Sequence, residues 1–124
     1  MVEINIKKAA ANLDKKINAR LKTRLQLWRK AKADSDKIRR LIISKYKPAR
    51  LYQWRSVLNK NLFAEYSDID FAVEGDFPPE KYFAMFEEAD NLTSFPLDLI
   101  DMKKVNPVHA QSIIRNGKLV YEQK

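Results

Sequence analysis

Two short acidic segments hold the residues whose types and spacing point to chemistry. In the first, Asp68 and Asp70 lie one residue apart in the run from Ser67 to Val73, which is rich in strand-forming side chains. Because side chains alternate along a strand, the two carboxylates leave the same face and Ile69 leaves the other. Carboxylates forced together repel unless they are protonated or bridged by cations. Their hard oxygen ligands predict Mg²⁺, which also binds phosphate oxygens.

The second segment, Phe95 to Asp101, supplies a third carboxylate. If it forms a strand, Leu97 and Leu99 share one face and Asp98 points to the other, whereas Asp101 has the opposite parity to Asp98 and is the weaker candidate. If this strand lies beside the first, three aspartates can hold two Mg²⁺ ions about 3.5–4 Å apart.

Such a centre would suit phosphoryl transfer. One metal would lower the pKa of an acceptor hydroxyl, the other would neutralise a triphosphate, and Asp98 is the candidate base. On spacing alone, however, an Asp-x-Asp pair is more often part of a solvated edge strand.

The elements that must position these carboxylates follow residue 50. Leu51–Trp54, 67–73 and 96–102 are predicted strands, and 119–121 is a short extended segment. Helices are predicted from Pro79 to about Leu92 and from Asn106-Pro107 to Gly117. This alternation indicates an α/β or α+β fold in which helices flank a small mixed sheet.

A long helical region comes before the sheet. Residues from about 13 to 46 have no glycine or proline, and an apolar stripe runs through Leu13, Ile17, Leu21, Leu25 and Trp28. Asp34-Ser35-Asp36 could cap a second helix, so the sequence leaves open one long helix or two. The stripe suits packing on the domain or docking on a partner.

Charge divides the chain in the same way. Residues 1–50 hold 16 Lys and Arg against 4 Asp and Glu, whereas residues 51–124 hold 8 against 12. With the end of the helical region at residue 46, this divides the chain into a basic helical extension (1–46) and a core (47–124) that carries the candidate carboxylates, together making one structural domain. The basic region is open to two interpretations, a nucleic-acid footprint and an ordinary solvated helix face, and its few aromatic residues do not favour the first.

The combined motifs resemble a known family. Tyr52-Gln53-Trp54-Arg55-Ser56 is followed after eleven residues by Asp68-Ile69-Asp70, then by Phe95-Pro96-Leu97-Asp98-Leu99-Ile100 and by the ending at residues 113–121. This order is similar to that of the minimal nucleotidyltransferases, a group within the polymerase-beta-like superfamily, and covers roughly residues 38–122. The resemblance implies a polymerase-beta-like nucleotidyltransferase fold with an N-terminal helical extension.

The resemblance also implies a site. Asp68, Asp70 and Asp98 would be the catalytic, metal-binding triad for Mg²⁺, and Ser56 would contact the terminal phosphates of an NTP such as ATP. Many members of this group are antitoxins of a small helical toxin of the HEPN class, and some transfer AMP to a tyrosine of that toxin. The implied activity is transfer of NMP, in particular AMP, to a protein or RNA hydroxyl.

One position departs from the family pattern, because Arg55 replaces the motif glycine. Arginine could obstruct the triphosphate path, could bind the phosphates with its charged fork, or could mark a chain that kept the fold and lost the activity. The alternative to an enzyme is accordingly a weakened module that neutralises its partner by contact.

The remaining expectations concern surroundings. With no cysteine, no signal-peptide core and no apolar run long enough to span a bilayer, the sequence predicts a cytoplasmic protein without a membrane partner. A homo-oligomer is compatible with the small size of the chain.

Overall fold

The protein was analysed as a computed structural model that describes residues 2–54 and 67–124. The helices are α1 (Val2–Leu41), continued by one π-helical turn (Ile42–Tyr46), α2 (Pro79–Asp90) and α3 (Pro107–Asn116). The strands are β1 (Arg50–Trp54), β2 (Ile69–Glu74), β3 (Leu97–Asp101) and β4 (Lys118–Glu122). The predicted order of elements is confirmed, with strand ends that shift by one or two residues.

The four strands form one mixed sheet in the order β3-β2-β1-β4. Strand β1 runs antiparallel to both β2 and β4, and β2 runs parallel to β3. A parallel pair needs a crossover connection, which α2 supplies between β2 and β3. The mixed α/β fold with flanking helices is therefore confirmed.

The two faces of the sheet differ in what covers them. One face carries Phe71 and its alternate neighbours, which form the main core with buried residues of α1, the π-helical turn and α2. The opposite face carries Trp54 and Ala72, which cluster with Ile113 of α3. We call this second face the aspartate face, because alternation along β2 places Asp70 on the same side as Ala72.

Helix α1 is continuous, which settles the alternative between one helix and two. It begins at Val2, eleven residues before the first residue of the stripe that predicted it. Three consecutive alanines at positions 9–11 favour helix in this additional part. The proposed cap at Asp34 is wrong. Asp34 is buried and accepts a hydrogen bond of 2.8 Å from Thr93 Oγ1, which in turn accepts from the Phe95 backbone N–H. The aspartate thus ties α1 to the segment that leads into β3.

The helical region ends where proline predicts. Lys47 adopts a left-handed conformation with φ 47°, and its N–H donates to Ile42 O at 3.1 Å. Pro48 follows, and a residue before proline avoids helical geometry. No helix in the described ranges combines the length and apolar character that a membrane crossing needs.

Tyr46, at the end of the π-helical turn, gives a testable pH dependence. It is buried and donates a 2.7 Å hydrogen bond to Glu88 of α2. Burial raises the pKa of Tyr46 to about 12, and the hydrogen bond to Glu88 adds to the shift. A pKa raised in the folded state gives stability that is complete below the unfolded value and is lost as pH rises towards the folded value.

We therefore expect the free energy of unfolding to fall between pH 10 and about 12. Urea unfolding at several alkaline pH values is the measurement. The Tyr46→Phe variant should lose less stability over that interval. Part of the decrease with pH should remain in the variant, because burial also raises the pKa of Tyr52 and Tyr82. An identical slope in wild type and variant would contradict the assignment.

Candidate functional site

The register of the sheet brings two of the three predicted carboxylate positions side by side. Asp70 pairs with Asp98 across the parallel β2–β3 ladder, and Trp54 pairs with Asp70 across β1–β2. Partners on neighbouring strands share a face, so Trp54, Asp70 and Asp98 form one row on the aspartate face. Asp68 lies two residues before Asp70, just outside β2, on the approach to this row.

The three aspartates differ in exposure. Asp70 is fully buried, whereas Asp68 and Asp98 are half-buried. Asp70 is thus a carboxylate in the interior of the sheet, and a buried anion is costly unless opposite charge or hydrogen bonds compensate it. Across the described ranges, no three acidic or histidine side chains converge closely enough to hold a metal ion. The backbone brings Asp70 and Asp98 side by side, but the side chains of the three aspartates do not converge on one point.

Asp101 lies on the other face, as its parity predicts. It is buried, and its Oδ1 accepts a 3.0 Å hydrogen bond from the Lys103 backbone N–H. Asp101 therefore stabilises the turn after β3 and points away from the row of Asp70 and Asp98.

Tyr82 of α2 lies near the site. The sequence pattern identified it only as a residue of the helix face. Its hydroxyl donates to the Leu99 carbonyl of β3. Burial raises the pKa of Tyr82, and the negative charges of Asp98 and Asp101 raise it further. The tyrosine thus remains a protonated donor that fixes α2 on the strand carrying Asp98.

Helix α3 covers the aspartate face and is held close to β1. Its N-terminus is capped by Asn106, whose Oδ1 accepts from the His109 backbone N–H at 2.7 Å. The single histidine is exposed in the first turn and is not part of the aspartate row. A Cβ added at Gly117 would lie 2.6 Å from Ile113 O and 3.3 Å from Trp54 Cβ. Glycine at this position therefore allows the chain to leave α3 directly beside Trp54.

Arg55 and Ser56, the predicted nucleotide-binding residues, lie outside the described residues. They follow Trp54 in the sequence, and Trp54 is the β1 member of the aspartate row. Their roles remain predictions from the sequence motif.

A cavity of about 150 Å³ lies on the opposite side of the sheet, between α1 and strands β1 and β4. Its lining includes Lys32, Arg39 and Lys118, and Gln53 alternates with Trp54 away from the aspartate row. This cavity is therefore separate from the carboxylates.

Comparison with known proteins identifies relatives in sequence pattern and in fold. The family model described as polymerase beta, nucleotidyltransferase matches residues 36–124. No curated protein matches the chain. A toxin–antitoxin complex with AMP-PNP is similar in structure, with a TM-score of 0.56 and 20% identity over 75% of this chain and 74% of that one.

Two further structures share the fold. One is the toxin–antitoxin MntA-HepT, with a TM-score of 0.53 and 20% identity over 73% of this chain and 70% of that one. The other is a tri-AMPylated HEPN toxin of Shewanella oneidensis in complex with an MNT antitoxin, with a TM-score of 0.51 and 22% identity over 80% of this chain and 73% of that one.

Proposed function

This chain belongs to the polymerase beta nucleotidyltransferase family, and we propose that it transfers AMP from ATP to a hydroxyl of a partner protein. The observation that carries the proposal is the pairing of Asp70 with Asp98 on adjacent parallel strands. Two carboxylates side by side offer oxygen ligands to a cation, and a bound cation can neutralise the charge of a phosphate.

Asp68, Asp70 and Asp98 would hold Mg²⁺. All three offer carboxylate oxygen atoms, which are the ligands that Mg²⁺ prefers. Binding would require rotation of these side chains, because the three carboxylates do not converge on one point. When bound, the metal would neutralise charge on the triphosphate.

Residues of this chain would orient the reacting groups and accept the proton of the acceptor hydroxyl. In the proposed step the acceptor oxygen bonds to the α-phosphorus while the bond from that phosphorus to the bridging β-phosphate oxygen breaks. Pyrophosphate leaves, and the hydroxyl proton passes to the half-buried carboxylate of Asp98. Ser56 would bind the terminal phosphates during this step. The buried side of the row, formed by Trp54 and α3, would exclude water.

The acceptor we propose is a HEPN-type toxin, so that the chain acts as its antitoxin. Structures with the same fold include an MNT antitoxin bound to a tri-AMPylated HEPN toxin and a toxin–antitoxin complex with AMP-PNP. The second candidate function is neutralisation by contact alone. Arg55 in place of the motif glycine favours it.

Labelled ATP distinguishes these functions. The full chain is incubated with Mg²⁺ and a HEPN-type protein encoded beside it, using ATP labelled at the α-phosphate in one reaction and at the γ-phosphate in another. Nucleotidyl transfer labels the toxin only from the α-position, and phosphoryl transfer only from the γ-position. Toxin that is neutralised without either label would overturn the transferase proposal and support the contact mechanism.

Arg55→Gly tests the departure from the family motif. We expect the glycine variant to transfer AMP faster or to bind ATP more tightly, because glycine lets the backbone approach phosphate. Initial rates over a range of ATP concentrations measure both quantities, and Arg55→Lys controls for the loss of the planar guanidinium. Equal or slower turnover in the glycine variant would count against obstruction by Arg55.

A further inference from the structure

The first half of α1 leaves large apolar side chains uncovered. Ile6 is 62% exposed, Leu13 58%, Ile17 43% and Leu21 55%. Their spacings of seven, four and four residues place them on one face of the helix. We call these four residues the apolar seam.

The seam continues the helix face that builds the core. Farther along α1 and into the π-helical turn, Ala31, Ile38 and Ile42 repeat the same spacing and are fully buried against the sheet. The periodicity is thus the same in both halves, but the sheet covers only the second. Within the described ranges, no element packs over the seam.

A basic row runs beside the seam. Lys16, Arg20 and Arg24 each follow a seam residue (Leu13, Ile17 and Leu21 respectively) by three positions. Residues three apart are neighbours on a helix surface, so three of the four seam residues have a cation next to them. Between residues 5 and 24 the chain has seven Lys and Arg but only one acidic residue.

We propose that the seam binds an acidic amphipathic helix of a partner protein. A narrow apolar stripe flanked by charge is typical of a helix that pairs with another helix. A second copy of α1 would bring two basic rows together, which the charge opposes. Nucleic acid would engage the cations but leave the seam in water. The inference stands apart from the proposed transferase activity.

The cavity between α1 and the sheet extends this surface. It begins at Trp28, one turn beyond the basic row. Its lining has three cations (Lys32, Arg39 and Lys118) and one carboxylate, Asp36, which pairs with Arg39, so its charge remains positive. The Ser35 hydroxyl in its lining is buried and has no hydrogen-bond partner in the described part of the chain. An acidic side chain at the end of the partner helix would be complementary to this lining.

A defined peptide tests the surface. The full chain is titrated, by fluorescence anisotropy, with a labelled peptide of about four heptads that has leucine on one face and glutamate beside it. We expect binding that weakens as salt rises. A peptide with lysine at every glutamate, and one with the same composition but scrambled leucines, should both bind about tenfold more weakly or not at all.

Paired variants separate the seam from general charge. Leu13→Gln with Leu21→Gln should weaken binding of the acidic peptide by about tenfold or more, because each change removes an apolar anchor. Asn12→Gln with Ala19→Gln changes the opposite face of the same exposed helix and should leave affinity unchanged. Circular dichroism of both double variants checks that the helix is retained.

Three results would overturn the proposal. Equal binding of the ordered and scrambled acidic peptides would show that binding is electrostatic and does not depend on the seam. A wild-type dimer in sedimentation that the Leu13→Gln and Leu21→Gln changes dissociate would make the occupant a second copy. Tighter binding of single-stranded RNA than of the acidic peptide, unchanged by those substitutions, would make it nucleic acid.

Discussion

Replacing Asp70 by asparagine should reduce AMP transfer by about 10²–10³-fold, the loss expected when one electrostatic contact at a reacting centre is removed. Asparagine has nearly the same shape but no negative charge, so it keeps the packing of β2 and removes the charge opposite Asp98. The rate of label transfer from α-labelled ATP to the toxin is the measurement. Thermal unfolding of the variant should stay cooperative, which separates a chemical loss from a folding loss.

Asp101→Asn is the matched control for that variant. Asp101 is also a buried aspartate of the sheet, but it faces away from the row, and its Oδ1 accepts a hydrogen bond from the Lys103 backbone N–H. Asparagine retains an oxygen that can accept this hydrogen bond, so transfer should be unchanged. If both asparagine variants lost activity equally, the parity argument that selects Asp70 and Asp98 would be wrong.

Ile38→Ala should destabilise the whole domain by about 2–5 kcal/mol, the usual cost of deleting a buried isoleucine side chain. Ile38 is fully buried in the main core, where α1 packs on the sheet. Leu13→Ala on the same helix should cost no more than about 0.5 kcal/mol, since that leucine lies on the exposed surface. Urea unfolding followed by tryptophan fluorescence compares the two variants.

This comparison also tests the division of the chain at residue 46. If α1 were an appendage, Ile38→Ala would cost as little as Leu13→Ala and the sheet would unfold at an unchanged urea concentration. Because Ala31 and Ile38 are buried against the sheet, we expect the larger cost. The boundary at residue 46, where the predicted helical region ends, remains a prediction that this experiment tests.

The strands and the parity of their side chains could be predicted because they depend on local pattern. Period-two alternation is visible in Asp68-Ile69-Asp70-Phe71, and Pro79 marks the start of α2. The same pattern predicted that Asp101 faces away from Asp98, and the hydrogen bond to Lys103 N–H agrees.

Other features depend on contacts between distant residues and could not be derived from local pattern. Asp34 is a residue type that often caps helices, but its hydrogen-bond partner is Thr93, fifty-nine positions away. The stripe of α1 has one periodicity, yet only the presence of the sheet decides that Ile38 is buried and Leu13 is not. The order β3-β2-β1-β4 likewise follows from pairing that one sequence does not specify.

The unbroken course of α1 has a geometric consequence. The helix has no glycine, proline or other interruption between the seam and the core, and at 1.5 Å per residue the 25 positions from Leu13 to Ile38 span roughly 38 Å. A protein bound to the seam would therefore lie at a fixed distance and in a fixed direction from the sheet. Whatever the seam binds is thereby kept away from the aspartate face, unless the bound protein is itself long enough to extend back along the helix to the sheet.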